Sequence, residues 1–310
     1  MDTPQQITPA LPDRGELLTE QRNERSMRLD TLGTRACLEL INDEDALIAA
    51  AVRDQIEQIT EFTDRVICSF RAGGRLIYLG AGTSGRLGVL DASECPPTFQ
   101  SDPGQVLGVI AGGDPALRRS SEQREDEPGG AHEELDAIGV GPNDCVLGIA
   151  AGGTTPYVLG GVEHAKARGA WTGLLVCTPK ERPGWCDVLI AIETGPEVLT
   201  GSTRMKAGSA TKMVLNMIST AGMVGIGKAH GNLMVDLRAS NSKLRDRAAR
   251  IVAEICGIDR DHALGLLDNA DQRVKHAVVM QQLGLDFTRA DERLVQTGGS
   301  LRDALGGPRQ

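Results

Sequence analysis

Two stretches of this chain combine glycines, hydroxyl side chains and the start of a helix. The first is Leu79-Gly80-Ala81-Gly82-Thr83-Ser84-Gly85-Arg86-Leu87-Gly88; the second is Gly148-Ile149-Ala150-Ala151-Gly152-Gly153-Thr154-Thr155-Pro156-Tyr157. In both, backbone N–H groups at a helix N-terminus can face an anion while hydroxyls add further donors. Thr83, Ser84 and Gly85 are the candidate ligand contacts in the first loop, and Gly152, Gly153, Thr154 and Thr155 in the second. Gly80, Gly82 and Gly85 formally fit G-x-G-x-x-G. A dinucleotide fold also wants an acidic residue about twenty positions on, and the next strand ends near Asp114, roughly ten residues too late. Two hydroxyls inside the loop suit a monophosphate better than a pyrophosphate. The plain alternative is a pair of tight turns whose glycines only permit close packing.

Acid–base chemistry needs carboxylates, and two lie near these loops. Glu94 precedes Pro96-Pro97, which are expected to stop the helix leaving the first loop. Glu125 lies in the acidic run Glu122-Gln-Arg-Glu125-Asp-Glu-Pro-Gly. By residue type alone neither stands apart from the 42 acidic residues, and each could be a solvated helix end. Eliminating a group β to a carbonyl requires a base for the α-proton and an acid for the departing alkoxide. One ionised and one protonated carboxyl can supply both.

The elements that would hold these groups follow an α/β pattern. Short apolar runs at Arg75–Leu79, Val106–Ile110, Cys145–Ile149, Thr172–Val176 and Val188–Ile192 read as buried parallel strands. Helical stretches between most of them predict a three-layer α/β/α sandwich. Thr34 to Phe70 reads as two helices broken at Asn42-Asp43-Glu44-Asp45, and Thr200 to Gly227 as one long helix rich in small residues. Beyond Asn232, amphipathic segments at 243–255, 261–269, 272–283 and 288–294 predict a C-terminal helical bundle. The expected division is 1–52 as an arm (disordered to about residue 18) and helix, 53–232 as the α/β domain, and 233–310 as the helical domain.

Composition narrows the function classes. A net charge of -9 without a basic run argues against a nucleic-acid partner. Seven scattered cysteines with no CxxC pair predict reduced thiols, neither a disulfide framework nor a metal site. No segment is apolar enough to span a bilayer, and no leader is visible, so the expected location is the cytoplasm.

Four blocks carry a resemblance to a known family. They are Thr19-Glu-Gln-Arg-Asn-Glu-Arg-Ser26; Gly80 to Gly88 through Ala92-Ser-Glu-Cys-Pro-Pro97; Gly195-Pro-Glu-Val-Leu-Thr-Gly-Ser-Thr-Arg-Met-Lys-Ala-Gly208; and Gly231-Asn-Leu-Met-Val-Asp236. Together they resemble the N-acetylmuramic acid 6-phosphate etherases, from about residue 19 to about 305. The resemblance implies a sugar isomerase (SIS) domain with a helical C-terminal region and a homodimer with sites near the subunit interface. It implies a carbon–oxygen lyase of peptidoglycan recycling that takes a small sugar phosphate and needs no cofactor. D-lactate would leave by syn-elimination from the ring-opened sugar, and water would add to give N-acetylglucosamine 6-phosphate. It also implies Glu94 as the acid toward lactate and Glu125, in an acidic helix, as the base at C2. Relatives usually carry Ser and Arg where this chain has Gly152 and Thr154, and an aromatic residue where it has His230. The same signature resembles a non-catalytic, sugar-phosphate-binding regulator of glucokinase, a longer protein with two SIS domains.

Overall fold

A computed structural model describes residues 15–119, 124–237 and 241–307. Its centre is a parallel sheet of β1 (Leu76–Gly80), β2 (Val106–Ile110), β3 (Cys145–Ile149), β4 (Trp171–Val176) and β5 (Val188–Ala191), in the order β2-β1-β3-β4-β5. All pairs are parallel, and β1 and β3 are buried along their whole length, which explains their unbroken apolar runs. The order runs one way from β1 to β2 and the other way from β1 to β3. The switch point of the sheet therefore lies between β1 and β3, where open α/β sheets bind ligands.

On one face lie α2 (Ile48–Arg53), α3 (Ile56–Arg71), α4 (Gly82–Phe99) and α7 (Lys206–Gly225), packed through Phe62, Val66, Tyr78, Leu147 and Leu215. On the other lie α5 (His132–Ala137) and α6 (Pro156–Ala167), packed through Leu79, Leu135, Val158, Val162 and Leu174. This is the three-layer arrangement expected from the sequence. α1 (Thr34–Asp45) precedes these layers. A third apolar cluster belongs to the C-terminal helices α8 (Ser242–Cys256), α9 (Arg260–Asn269), α10 (Val274–Leu283), α11 (Phe287–Gln296) and α12 (Leu301–Ala304). The starts of four of these helices are fixed by local chemistry. Asn241, Asp259, Asp286 and Ser300 each accept an N–H of the following turn.

Several local expectations are corrected. Pro96 and Pro97 do not stop α4, which runs on to Phe99. They occupy its last turn, where only the final bonds of the ladder are lost, and left-handed Gln100 closes the helix by donating its N–H to Pro96 O at 2.9 Å. Residues 34 to 71 form three helices; the acidic stretch 42–45 ends α1 instead of interrupting it. The segment from Thr200 to Met205 is a turn, so α7 begins only at Lys206. Residues 124–126 form a turn, so Glu125 is not on a helix. Of the expected disordered arm, residues 1–14 lie outside the described residues, while Leu18–Glu20 forms a 3₁₀ turn.

Candidate functional site

Both glycine loops emerge side by side at the switch point, because Gly80 of β1 is in register with Ile149 of β3. In the first loop Gly82 takes a φ of +52°, turning the chain from strand into α4. Thr83 packs toward α7, with its Cγ2 3.7 Å from where a Cβ on Gly208 would be. Gly85 serves packing. A Cβ there would meet Ile110 Cγ1 at 2.6 Å and Gly80 O at 2.8 Å, so its bareness lets α4 close onto β1 and β2. Thr83 and Ser84 are half-buried at the start of the same helix.

The second loop opens α6. Pro156 occupies the first helical position, and the Gly153 N–H is spent inside the turn, on Ala150 O at 2.8 Å. The Thr155 side chain makes no capping bond. Gly152 is not in the left-handed region, whereas Gly153 is, at φ +67°.

Glu125 bridges the two loops. Its backbone carbonyl accepts the N–H of Tyr157, in the first turn of α6, at 3.1 Å. Its carboxylate Oε1 stands 3.3 Å from the Cβ position of Gly82. The acidic turn is thus pinned over the switch point, and Glu125 joins Thr83, Ser84 and the Gly152–Thr155 loop. Glu122 lies outside the described residues.

Glu94 is elsewhere. It is exposed three turns along α4, twelve residues beyond Gly82, or about 18 Å at 1.5 Å per residue. There it lines a groove between α4 and α7 with Leu90, Asp91, Lys212 and Asn216. That part of α4 is fixed by buried Asp91, which accepts from Tyr78 Oη at 2.9 Å, Asn216 Nδ2 at 2.6 Å and Ser219 Oγ at 3.2 Å. Buried between Asp91 and this surface, Cys95 has its thiol pushed up to about 12, mainly by burial and then by the Asp91 charge.

Some residues of the site carried no assigned role in the sequence. Arg204, Ser209 and Lys212 share a groove with Thr83. Glu197 is fully buried and accepts the N–H groups of Lys206 and Ala207 at 3.0 Å each, capping α7. Burial nevertheless raises its carboxyl above the ordinary range. Lys206, also buried, gives its ammonium to Glu44 at 2.7 Å. Burial pushes Glu44 up, but hydrogen bonds from Lys206 and Asn23, with the Lys206 and Arg25 charges, hold it below the usual carboxylate value. The sequence signal for Glu197, Arg204 and Lys206 was their place in the Gly195–Gly208 block and for Glu44 its place in the acidic stretch 42–45; Ser209 and Lys212 carried none.

Comparisons with known proteins place the chain among relatives. Residues 58–166 match the family model described as the glucokinase regulatory protein N-terminal SIS domain. The backbone is similar, at a TM-score of 0.44 and 14% identity, to phosphoheptose isomerase GmhA from Neisseria gonorrhoeae, over 61% of this chain and 98% of that one. The chain is 54% identical over 294 residues to the N-acetylmuramic acid 6-phosphate etherase of Synechococcus sp. (strain CC9605), covering 94% of this chain and 93% of that relative. It is 50% identical over 295 residues to the protein of the same name from Mycolicibacterium smegmatis, covering 95% and 99%. With this identity across nearly its whole length, the chain belongs to the N-acetylmuramic acid 6-phosphate etherase family.

Proposed function

We propose that this protein cleaves the D-lactyl ether of N-acetylmuramic acid 6-phosphate with water, releasing D-lactate and N-acetylglucosamine 6-phosphate. The observation that carries the reading is the Glu125 carboxylate held over Gly82 between two helix N-termini. There a base faces a phosphorylated sugar fixed by Thr83, Ser84 and the Gly152–Thr155 loop. Glu125 removes the C2 proton, acidified by the C1 aldehyde of the open sugar. The electron pair forms the C2=C3 bond and expels lactate from C3, and Glu94 protonates the leaving oxygen. Glu94 then takes a proton from water as its oxygen adds at C3, and Glu125 returns a proton to C2. Both carboxyls end as they began, and no cofactor enters the sequence, which is that of a carbon–oxygen lyase.

The separation of the two glutamates sets a further condition. Protons at adjacent positions of one sugar must each lie within about 3 Å of their carboxyl. Glu94 and Glu125 of one chain are too far apart for that, so each site takes Glu94 from a second copy in a homodimer. Leu90, 52% exposed beside Glu94, belongs to the surface that the second copy would cover. Residues 53–232 form the sugar-binding unit and 233–310 the helical one, and the protein works in the cytoplasm. Among the described residues no helix is long and apolar enough to cross a membrane.

Incubating the protein with N-acetylmuramic acid 6-phosphate tests the reading, with D-lactate and the product sugar expected in equal amounts. Tight sugar-phosphate binding without lactate would favour the non-catalytic regulator instead. The regulator reading rests on the motif resemblance and on a family match confined to residues 58–166.

A further inference from the structure

The loop that opens α6 is covered by a segment from far away in the chain. A Cβ on Gly152 would lie 3.6 Å from Thr19 Oγ1, 3.7 Å from Leu17 Cδ1 and 3.8 Å from Thr154 Oγ1. Gly152 therefore faces a small space walled by two threonine hydroxyls, one of them from the Leu18–Glu20 turn. Thr19 is 1% exposed, and its hydroxyl has no hydrogen-bond partner. Leaving a buried hydroxyl unpaired is costly, and folds rarely keep one unless something outside the chain takes the bond.

A lysine also lies against the loop. The stem of Lys180, just beyond β4, lies across Gly153, with Cδ 2.9 Å and Cε 3.5 Å from the Cβ position there. Its ammonium is one bond further on. The same loop leads into the N-terminus of the twelve-residue α6, where the Thr155 side chain makes no capping bond. An unpaired donor, a lysine and a helix N-terminus converging on one loop describe a receptor for an oxyanion.

The covering turn is itself anchored. Asn23 donates to Glu44 Oε2 at 2.8 Å and to Pro196 O at 3.2 Å, and Glu20 Oε2 stands 3.3 Å from the Cβ position of Gly201. The buried Glu44–Lys206 pair thus ties the N-terminal segment to the start of α7.

We propose that Thr19 and Lys180 are phosphate-binding residues of this enzyme, the Leu18–Glu20 turn forming a strap that closes over the sugar's phosphate. The assignment rests on the reading above, in which the α6 loop holds the 6-phosphate. Thr19 supplies the hydroxyl that Gly152 lacks, and Lys180 supplies positive charge.

Calorimetry on the full chain with N-acetylglucosamine 6-phosphate and with unphosphorylated N-acetylglucosamine tests this. Thr19→Val and Lys180→Met should each weaken the phosphorylated sugar roughly tenfold, as expected for one lost charge-assisted bond. Both should leave the unphosphorylated sugar unchanged, and Thr19→Ser should retain wild-type affinity. If the wild type prefers the phosphorylated sugar and both variants keep that preference in full, the proposal is overturned while the α6 phosphate site stands. Equal loss of both sugars in Thr19→Val and Thr19→Ser would show a folding role only and overturn it too. A wild type indifferent to the phosphate would overturn the proposal together with the reading beneath it.

Discussion

The carboxylate of Glu125 stands 3.3 Å from the Cβ position of Gly82, while its own backbone carbonyl is held by the N–H of Tyr157. One residue thereby touches both glycine loops, although 43 and 32 positions separate it from Gly82 and Tyr157. A base whose backbone is pinned beside the loop would need little reorganisation before it takes a proton.

Glu125→Gln is expected to lower lactate release by about 10²- to 10⁴-fold, the usual worth of a general base. Affinity for the product sugar phosphate should stay within a few-fold of wild type. In D₂O the wild type should place deuterium at C2 of the product, and the variant should do so far more slowly. Unchanged incorporation would transfer the role to another carboxylate, Glu127 being the neighbour in the same loop.

Glu94→Gln should nearly abolish turnover in the homodimer. The informative measurement is made on mixed dimers of Glu94→Gln and Glu125→Gln subunits. If each site draws Glu94 from one copy and Glu125 from the other, a mixed dimer holds one intact site and should regain up to about half of wild-type turnover. Two inactive parents that yield an inactive mixture would refute the shared site.

A Cβ at Gly152 meets no clash. Its φ lies outside the left-handed region, and the nearest atoms to a new Cβ, at 3.6 Å and beyond, are in ordinary contact. Gly152→Ser should therefore fold normally and lower KM for the phosphorylated sugar. Thr155→Val, which removes a donor at constant volume, should raise it. Equal turnover of the unphosphorylated sugar would contradict both expectations.

The Glu44–Lys206 pair makes a prediction about acid stability. Glu44 has a folded-state pKa below its ordinary value of 4.5. Its contribution is therefore complete above that pH and is lost as the pH falls through the lower folded value. Glu44→Gln should destabilise the protein at neutral pH and give a flatter decline of Tm with pH below about 4.5. Lys206→Met leaves Glu44 buried without its cation, and removing one partner of a buried pair typically costs about 3–5 kcal/mol. An acid-side Tm profile of Glu44→Gln parallel to wild type would remove Glu44 from this role.

The strands were readable because each is a short apolar run ending near glycine, as at Leu76–Gly80 and Cys145–Ile149. Their order was not, since periodicity shows that strands exist but not which ones pair. The path of α4 through Pro96-Pro97 was misjudged because a proline in a last turn removes few bonds, whereas the same residue in mid-helix breaks many contacts. The two loops and both glutamates were visible as residue types near glycine. That Glu125 reaches Gly82 is tertiary information, whereas the distance of Glu94 down the same helix follows from residue spacing and helix rise. Thr19 meets Gly152 across 133 positions of sequence, and no local pattern foretells such a meeting.

α4 has a consequence for how the two halves of the proposed dimer behave. On the reading proposed above, it starts at the phosphate loop of one site and carries, three turns later, the acid that would serve the other. It is a single stiff rod, clamped near its middle by Asp91 to Tyr78, Asn216 and Ser219. If that reading holds, closing the loop on a ligand at one end should shift or steady the proton donor at the far end. Substrate saturation curves then report coupled sites, with a Hill coefficient that departs from one and returns to it when Asp91→Asn loosens the clamp.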